Sequence, residues 1–293
     1  MSFKKSIFSL VLVLMPFWAS AQSSTALPFI RTAHIADDSS TWASFENPNY
    51  ALWQQDKFSV GAELNLWAPS KTTYLSAAGT ILLNDKLAAS ASFSYGLGEA
   101  YPVYSSSGQK SGTFSPNSMI LNLGFAYRIL PQFSLGVNLH KASETIAEKA
   151  TYGAYYCDLM ISGEFSALKA SAGIVALGTK VQNSAGISCS LPTSARLSLA
   201  YSGGISETLS YSAFMDADYY LAGALGVNVR GKLAYNEMLG LCAGAHLSTK
   251  ACVLPSYASL GLEAELIGIK ARVSTLLGGE LSGTLLLNLA YSF

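Results

Sequence analysis

The sequence predicts an all-β protein: an antiparallel transmembrane β-barrel of about fourteen strands with a short N-terminal periplasmic plug. Three observations lead there. Half of the 293 residues are hydrophobic, yet only 12% are charged, against roughly 25% in soluble domains. Beyond residue 21 no run of about 18 apolar residues supplies a membrane helix, so a closed barrel is the remaining way to span a bilayer. Apolar and polar residues also alternate with period two through most of the chain, in segments joined by short and long connections in turn.

Residues 1–21 read as a secretory signal. Lys4 and Lys5 precede an apolar run from Ile7 to Trp18, and Ala19-Ser20-Ala21 offers a small-residue cleavage site before Gln22. No Cys follows that site, which argues against a lipid anchor. Residues 22–56 do not alternate. Pro28, Asp37, Asp38 and the Asn47-Pro48-Asn49 turn interrupt any strand, while Phe29, Trp42, Phe45, Leu52 and Trp53 are too apolar for a free tail. This segment is expected to fold into the periplasmic mouth as a plug, with Trp42, Asn47 and Pro48 as its marked residues. An ordinary periplasmic extension is the alternative.

Residues 57–293 read as the barrel. Phe58, Val60, Ala62, Leu64 and Leu66 oppose Ser59, Gly61, Glu63 and Asn65, and later segments repeat the pattern. The expected strands are 57–66, 72–83, 86–97, 117–129, 132–141, 152–165, 168–180, 193–203, 207–216, 220–232, 235–248, 256–266, 267–277 and 283–293. In the last of these, Leu285, Leu287, Leu289, Tyr291 and Phe293 share one face, opposite Thr284, Asn288, Ala290 and Ser292. Leu286 is the one apolar intruder on that polar face. Aromatics at one end of an apolar face fit the membrane–water boundary. The connections at Asn84-Asp85, Pro131, Ser166-Ala167, Gly203-Gly204, Asn236 and Gly268 are short. Those at 98–115, 142–150, 181–192 and 249–255 are long. That alternation of periplasmic turns and outer loops is hard to obtain from a soluble sandwich.

The phase of the strands assigns Glu63, Arg128, His140, Arg196, Arg230, Glu263, Glu265, Lys270 and Arg272 to the lumen, where charge is tolerated as it is not on the lipid face. They would form either a salt-bridged interior or a charged constriction. Cys157 and Cys242 fall within strands. None of the four cysteines has metal-type spacing, and the disulfide state of Cys242 and Cys252 stays open. Net charge is zero, which speaks against nucleic acid as a partner. The only histidines are His34, His140 and His246, and no segment forms a nucleophile elbow, a metal-binding His pair or a phosphate loop. No enzyme activity, metal or cofactor is expected.

Two stretches carry a family resemblance. Leu191-Pro192-Thr193-Ser194-Ala195-Arg196-Leu197-Ser198-Leu199-Ala200-Tyr201 resembles the L-P-T-x-x-R-L-x-x-x-Y strand of the PorV/PorQ family of Bacteroidetes outer-membrane proteins. Leu191, Pro192, Thr193, Arg196 and Tyr201 are the matching residues. Trp42-Ala43-Ser44-Phe45-Glu46-Asn47-Pro48 is similar to the Asn-Pro-Ala region of that family and of the wider FadL-like superfamily, with Asn49 in place of the Ala. The resemblance implies a plugged fourteen-stranded barrel in the bacterial outer membrane. It also implies one of two roles. A PorV/PorQ-like component of type IX protein secretion or surface attachment would have secretion-system proteins or exported cargo as partners. A FadL-like transporter would pass hydrophobic small molecules, and a structural barrel or plugged porin is a third possibility. For the transporter, Tyr101, Tyr104, Phe114, Tyr219 and Tyr220 are candidate pocket residues, with an interfacial girdle as the alternative. Outer-membrane lipid is a partner in either case.

Overall fold

The computed structural model describes residues 41–293, apart from 55, 148–149, 184–185, 187 and 250–253. Residues 1–21, expected as a signal, residues 22–40 of the expected plug, His34 and Cys252 lie outside the described residues, and so does any Cys242–Cys252 disulfide.

The chain enters through a single helical turn, α1 (Ala43–Glu46), followed by a 3-10 turn over Pro48–Leu52. Strands β1 (Phe58–Trp67), β2 (Thr72–Asn84) and β3 (Leu87–Leu97) come next. A small hairpin follows, β4 (Tyr101–Tyr104) and β5 (Lys110–Phe114). Then come β6 (Asn117–Leu130), β7 (Phe133–Ala147), β8 (Ala150–Phe165), β9 (Leu168–Gly178) and two short pieces, β10 (Val181–Asn183) and β11 (Ser188–Cys189). The rest are β12 (Ser194–Gly204), β13 (Leu209–Tyr220), β14 (Leu225–Tyr235), β15 (Leu239–Ser248), β16 (Tyr257–Leu266), β17 (Ile269–Leu277) and β18 (Leu285–Ser292).

Fourteen of these strands form the wall, each antiparallel to its neighbours. Pairing of β1 with β18 and of β8 with β9 closes the ring, so the sheet has no free edge. Phe58 and Phe293 exchange backbone hydrogen bonds of 2.9 and 3.0 Å at the seam, and their rings meet at 5.0 Å. The period-two pattern decides which face is which. Leu75, Leu121, Leu197 and Leu262 point outward and are exposed, as a lipid-facing wall requires, while Ser59, Thr80, Ser134, Ser198 and Ser259 point inward and are buried. Phe58, Phe133, Phe165, Tyr201, Tyr235, Tyr291 and Phe293 gather at the short-turn end and make an aromatic girdle there.

Three boundaries differ from expectation. The turn placed at Gly203-Gly204 falls at 205–208, where Ile205 N donates to Leu209 O at 2.7 Å, and both glycines stay in β12. The strands expected at 207–216 and 220–232 run over Leu209–Tyr220 and Leu225–Tyr235. Asp216 and Asp218 look like a strand break, but each faces the lumen and is paired with an arginine, so the ladder continues through them. The stretch expected as a loop at 142–150 is the tip of a long hairpin, because β7 and β8 stay paired as far as Ala147 and Ala150.

Candidate functional site

The lumen holds the chemistry, and its short-turn half is filled by residues 41–54. Trp42, Phe45, Asn47, Pro48, Asn49, Tyr50 and Leu52 are all buried. On the β7–β9 side the plug makes hydrogen bonds to neutral polar groups. Asn47 Nδ2 donates to Ser162 Oγ at 3.2 Å and Ser171 Oγ at 2.8 Å, and Asn47 Oδ1 caps the 3-10 turn by accepting from Asn49 N at 3.1 Å. Asn49 Nδ2 donates to Ser162 Oγ at 2.9 Å, and Asn138 Nδ2 to the Phe45 carbonyl at 3.1 Å. Pro48 lies against Gly136, where a Cβ would come within 2.6 Å of Pro48 Cγ. Glycine is what lets the plug approach so closely. Arg128 reaches from β6 to donate to the Leu52 carbonyl at 3.1 Å.

On the opposite side Thr41 Oγ1 meets Ser59 Oγ, Gln54 Oε1 accepts from Thr80 Oγ1 at 2.6 Å, and charged groups take part. Trp42 Nε1 donates to Asn288 Oδ1 at 3.0 Å, Asn288 Nδ2 donates to Glu63 Oε2 at 3.1 Å, and Arg230 lies 3.5 Å from the Glu46 carboxylate. From β12 to β17 the wall carries a belt of ion pairs. Arg196 grips Asp218 with two bonds of 2.8 Å, and Arg230 meets Asp216 at 2.5 Å. Glu263 accepts from Lys232 at 2.6 Å and from Arg272, while Lys270 lies 3.2 Å from Glu265. His140 sits apart from this belt. Its Nε2 is 2.8 Å from the buried Asp158 carboxylate, its Nδ1 meets Asn122, and its ring stacks on Tyr156. The other Asp158 oxygen accepts from Ala176 N at 2.8 Å, pinning a bulge in β9. Below the belt, between plug and wall, a vestibule of about 520 Å³ opens among Trp53, Lys169, Tyr211, Lys232, Glu265 and Lys270.

The long-loop half of the lumen is different in kind. On one side Trp67, Tyr74, Tyr257, Leu276, Leu281 and Leu286 pack together. On the other, Val181 and Leu191 join Ala142, Ala154, Ile120, Tyr152 and Tyr156. The apolar intruder of β18, Leu286, belongs to the first group. Of the aromatics expected to line a pocket, Tyr104 is exposed on the β4–β5 hairpin, where Tyr101 and Phe114 meet at 5.6 Å, Tyr219 faces outward at the end of β13, and Tyr220 shares the inward phase of Asp216 and Asp218.

The motif strand contributes to the wall itself. Leu191 packs in the second apolar group, Pro192 precedes β12, and Thr193 Oγ1 donates to the Ala176 carbonyl at 2.7 Å. Arg196 is held by Asp218, and Tyr201 faces outward beside Tyr211. Sequence reasoning did not single out Asp158, Asp216 and Asp218, the acids that pair the basic residues. Their phase within the strands marks them as inward, because Cys157, Leu159, Met215 and Ala217 alternate with them on the opposite face.

No protein-family model and no curated protein matches the chain. Solved structures do. The toluene transporter TbuX of Ralstonia pickettii aligns over 87% of this chain and 94% of its own, with a TM-score of 0.57 at 10% identity. The toluene transporter TodX of P. putida aligns over the same shares with a TM-score of 0.57 at 12% identity. The monoaromatic hydrocarbon channel CymD aligns over 89% of this chain and 94% of its own, with a TM-score of 0.58 at 9% identity. At such identities the likeness is one of fold. The chain is a closed fourteen-stranded barrel with the fold of these transporters and channels, and nothing among them supports the PorV/PorQ resemblance.

Proposed function

We propose that this barrel admits small hydrophobic molecules into the outer half of its lumen, where the plug retains them. One observation carries the reading. The lumen changes along its axis, from an aromatic and aliphatic box at the long-loop end to a plug and an ion-pair belt below. An apolar solute gains by leaving water for the box and meets paired charges and a packed plug beneath it. The fold shared with hydrocarbon channels supports the same reading.

The competing role in type IX secretion rests on the Leu191–Tyr201 stretch. The wall interactions of Leu191, Thr193 and Arg196 account for much of that motif without a protein partner.

The test uses the three tryptophans of the described chain, Trp42, Trp53 and Trp67, which all lie on the lumen side of the wall. The protein in lipid nanodiscs is titrated with 1-bromononane, whose bromine quenches indole fluorescence. Saturable quenching that disappears in Trp67→Phe is expected. Quenching that rises linearly with probe and ignores Trp67 would refute the reading. Recovery of secretion-system proteins with the tagged barrel from native membranes would favour the other role.

A further inference from the structure

One short connection reaches into the apolar box from the outer end of the barrel, where Leu254 also packs against it. Between β17 and β18 the chain runs Gly278-Gly279-Glu280-Leu281-Ser282-Gly283, with φ of 110° at Gly278, 55° at Gly279 and 87° at Gly283. These left-handed values suit glycine, so both flanks of the connection are built from residues that turn freely. The connection closes on itself: Gly278 N donates to Ser282 Oγ at 2.9 Å and Thr284 N to the Leu281 carbonyl at 3.1 Å. Its one apolar side chain, Leu281, is 2% exposed and sits among Trp67, Tyr74, Tyr257, Leu276 and Leu286. A leucine on a glycine-flanked turn thus occupies an aromatic box as a peg occupies a socket.

Beside that socket are polar groups with nothing to bind. Asn65 is 0% exposed, and neither its amide nitrogen nor its amide oxygen has a hydrogen-bond partner among the described residues. The same holds for Trp67 Nε1 and Ser274 Oγ, both buried. The ladder sets them on inward positions around Leu286, with Asn65 and Ser274 on either side of it. Asn65 lies opposite Leu286 on β18, Leu286 lies opposite Ser274 on β17, and Trp67 is two residues beyond Asn65 on the same inward face. A buried amide left unsatisfied is costlier than an apolar side chain of the same shape. For folding alone, leucine would serve better at position 65.

We infer that this box is a binding site for an amphipathic molecule with an apolar body and a neutral hydrogen-bonding head. The body takes the place of Leu281, and the head, an alcohol or amide, meets Asn65, Trp67 Nε1 and Ser274. The head is neutral because of what surrounds it. The nearest ionisable group along β1 is Glu63, two residues below Asn65 on the same face, and it would repel a carboxylate. Below Ser274, Arg272 is engaged with Glu263. Asn65 and Ser274 can each donate and accept, and Trp67 Nε1 donates, which matches a hydroxyl or amide.

This inference rests on the uptake of apolar molecules proposed above, and the experiment separates the two. Binding of 8-bromooctan-1-ol and of 1-bromononane, equal in length, is compared by quenching of the lumenal tryptophans in nanodiscs. The wild-type protein is expected to bind the alcohol about tenfold more tightly, the worth of roughly one net hydrogen bond. Asn65→Leu should erase that preference by weakening the alcohol alone, and Leu281→Ala should tighten both probes. If Asn65→Leu does not fold, Ser274→Ala reads the same preference. Equal binding of the two probes by the wild-type protein, or a preference unchanged in both variants, overturns the inference and leaves the uptake of apolar molecules standing. Failure of both probes to bind overturns both.

Discussion

Asn47→Ala should loosen the plug while leaving the wall intact. In the folded chain Asn47 makes two bonds to the wall, through Ser162 and Ser171, and its Oδ1 accepts from both the backbone amide and the side-chain amide of Asn49 at the start of the 3-10 turn. Alanine removes all four. Ser162 and Ser171 keep each other at 2.8 Å, and Asn49 Nδ2 keeps Ser162 at 2.9 Å, so the wall suffers little. The plug loses about two net hydrogen bonds and leaves a buried Asn49 N–H without an acceptor, roughly 3 kcal/mol in all. At 1.4 kcal/mol per tenfold, opening becomes roughly 100-fold more frequent. Hydrogen exchange in nanodiscs measures this directly: amides of residues 43–53 should exchange about 100-fold faster, and those of the wall strands should not change. A change below about threefold in the plug, or an equal change across β7, β8 and β9, would show that Asn47 does not act as a plug anchor.

Gly136→Ala should act on the same contact from the wall side. Its Cβ would fall 2.6 Å from Pro48, so raised ion conductance in planar bilayers, with unchanged heat-modifiability on gels, is expected. Glu263→Gln should lower the urea midpoint of the barrel in liposomes by the equivalent of about 3 kcal/mol, because Arg272 and Lys232 then face each other across a buried position. Adding Arg272→Met should recover part of that loss. Ile267→Asn should raise the unfolding midpoint in detergent by about 1 kcal/mol. Ile267 and Gly268 form a two-residue turn with φ of 52° and 74°, which suits Asn-Gly and disfavours a β-branched side chain.

Much of the barrel could be read from the sequence because a two-sided wall writes its alternation into every strand. The interior was legible only where polarity alternated cleanly. Glu63, Arg230 and Glu263 stand out as charges in phase with serines, whereas the strand expected at 207–216 stops at Asp216 and leaves Asp218 in a connection. The β4–β5 hairpin went unread because Pro102 and its short strands carry too little pattern. The apolar box could not be foreseen from any one strand. Trp67, Tyr74, Tyr257 and Leu286 come from four separate segments, and each taken singly looks like an irregularity in an otherwise polar inner face. Only ring closure brings them together. Asn49, a departure from the resembled motif, proved to be a plug anchor, which its residue type alone did not reveal.

The contacts that hold the plug differ in physics around the lumen. Along β7, β8 and β9 it is fastened by amides and hydroxyls, whose strength scarcely depends on salt. Toward β14 it meets the wall through the Glu46–Arg230 pair at 3.5 Å, longer and electrostatic in kind. In mechanical language the first edge is a hinge and the second a latch. Raising ionic strength does not release this latch: both side chains are largely buried and screened little, and the neutral bonds of Trp42 to Asn288 and of Thr80 to Gln54 hold the plug beyond the β7–β9 edge, so it is expected to stay seated.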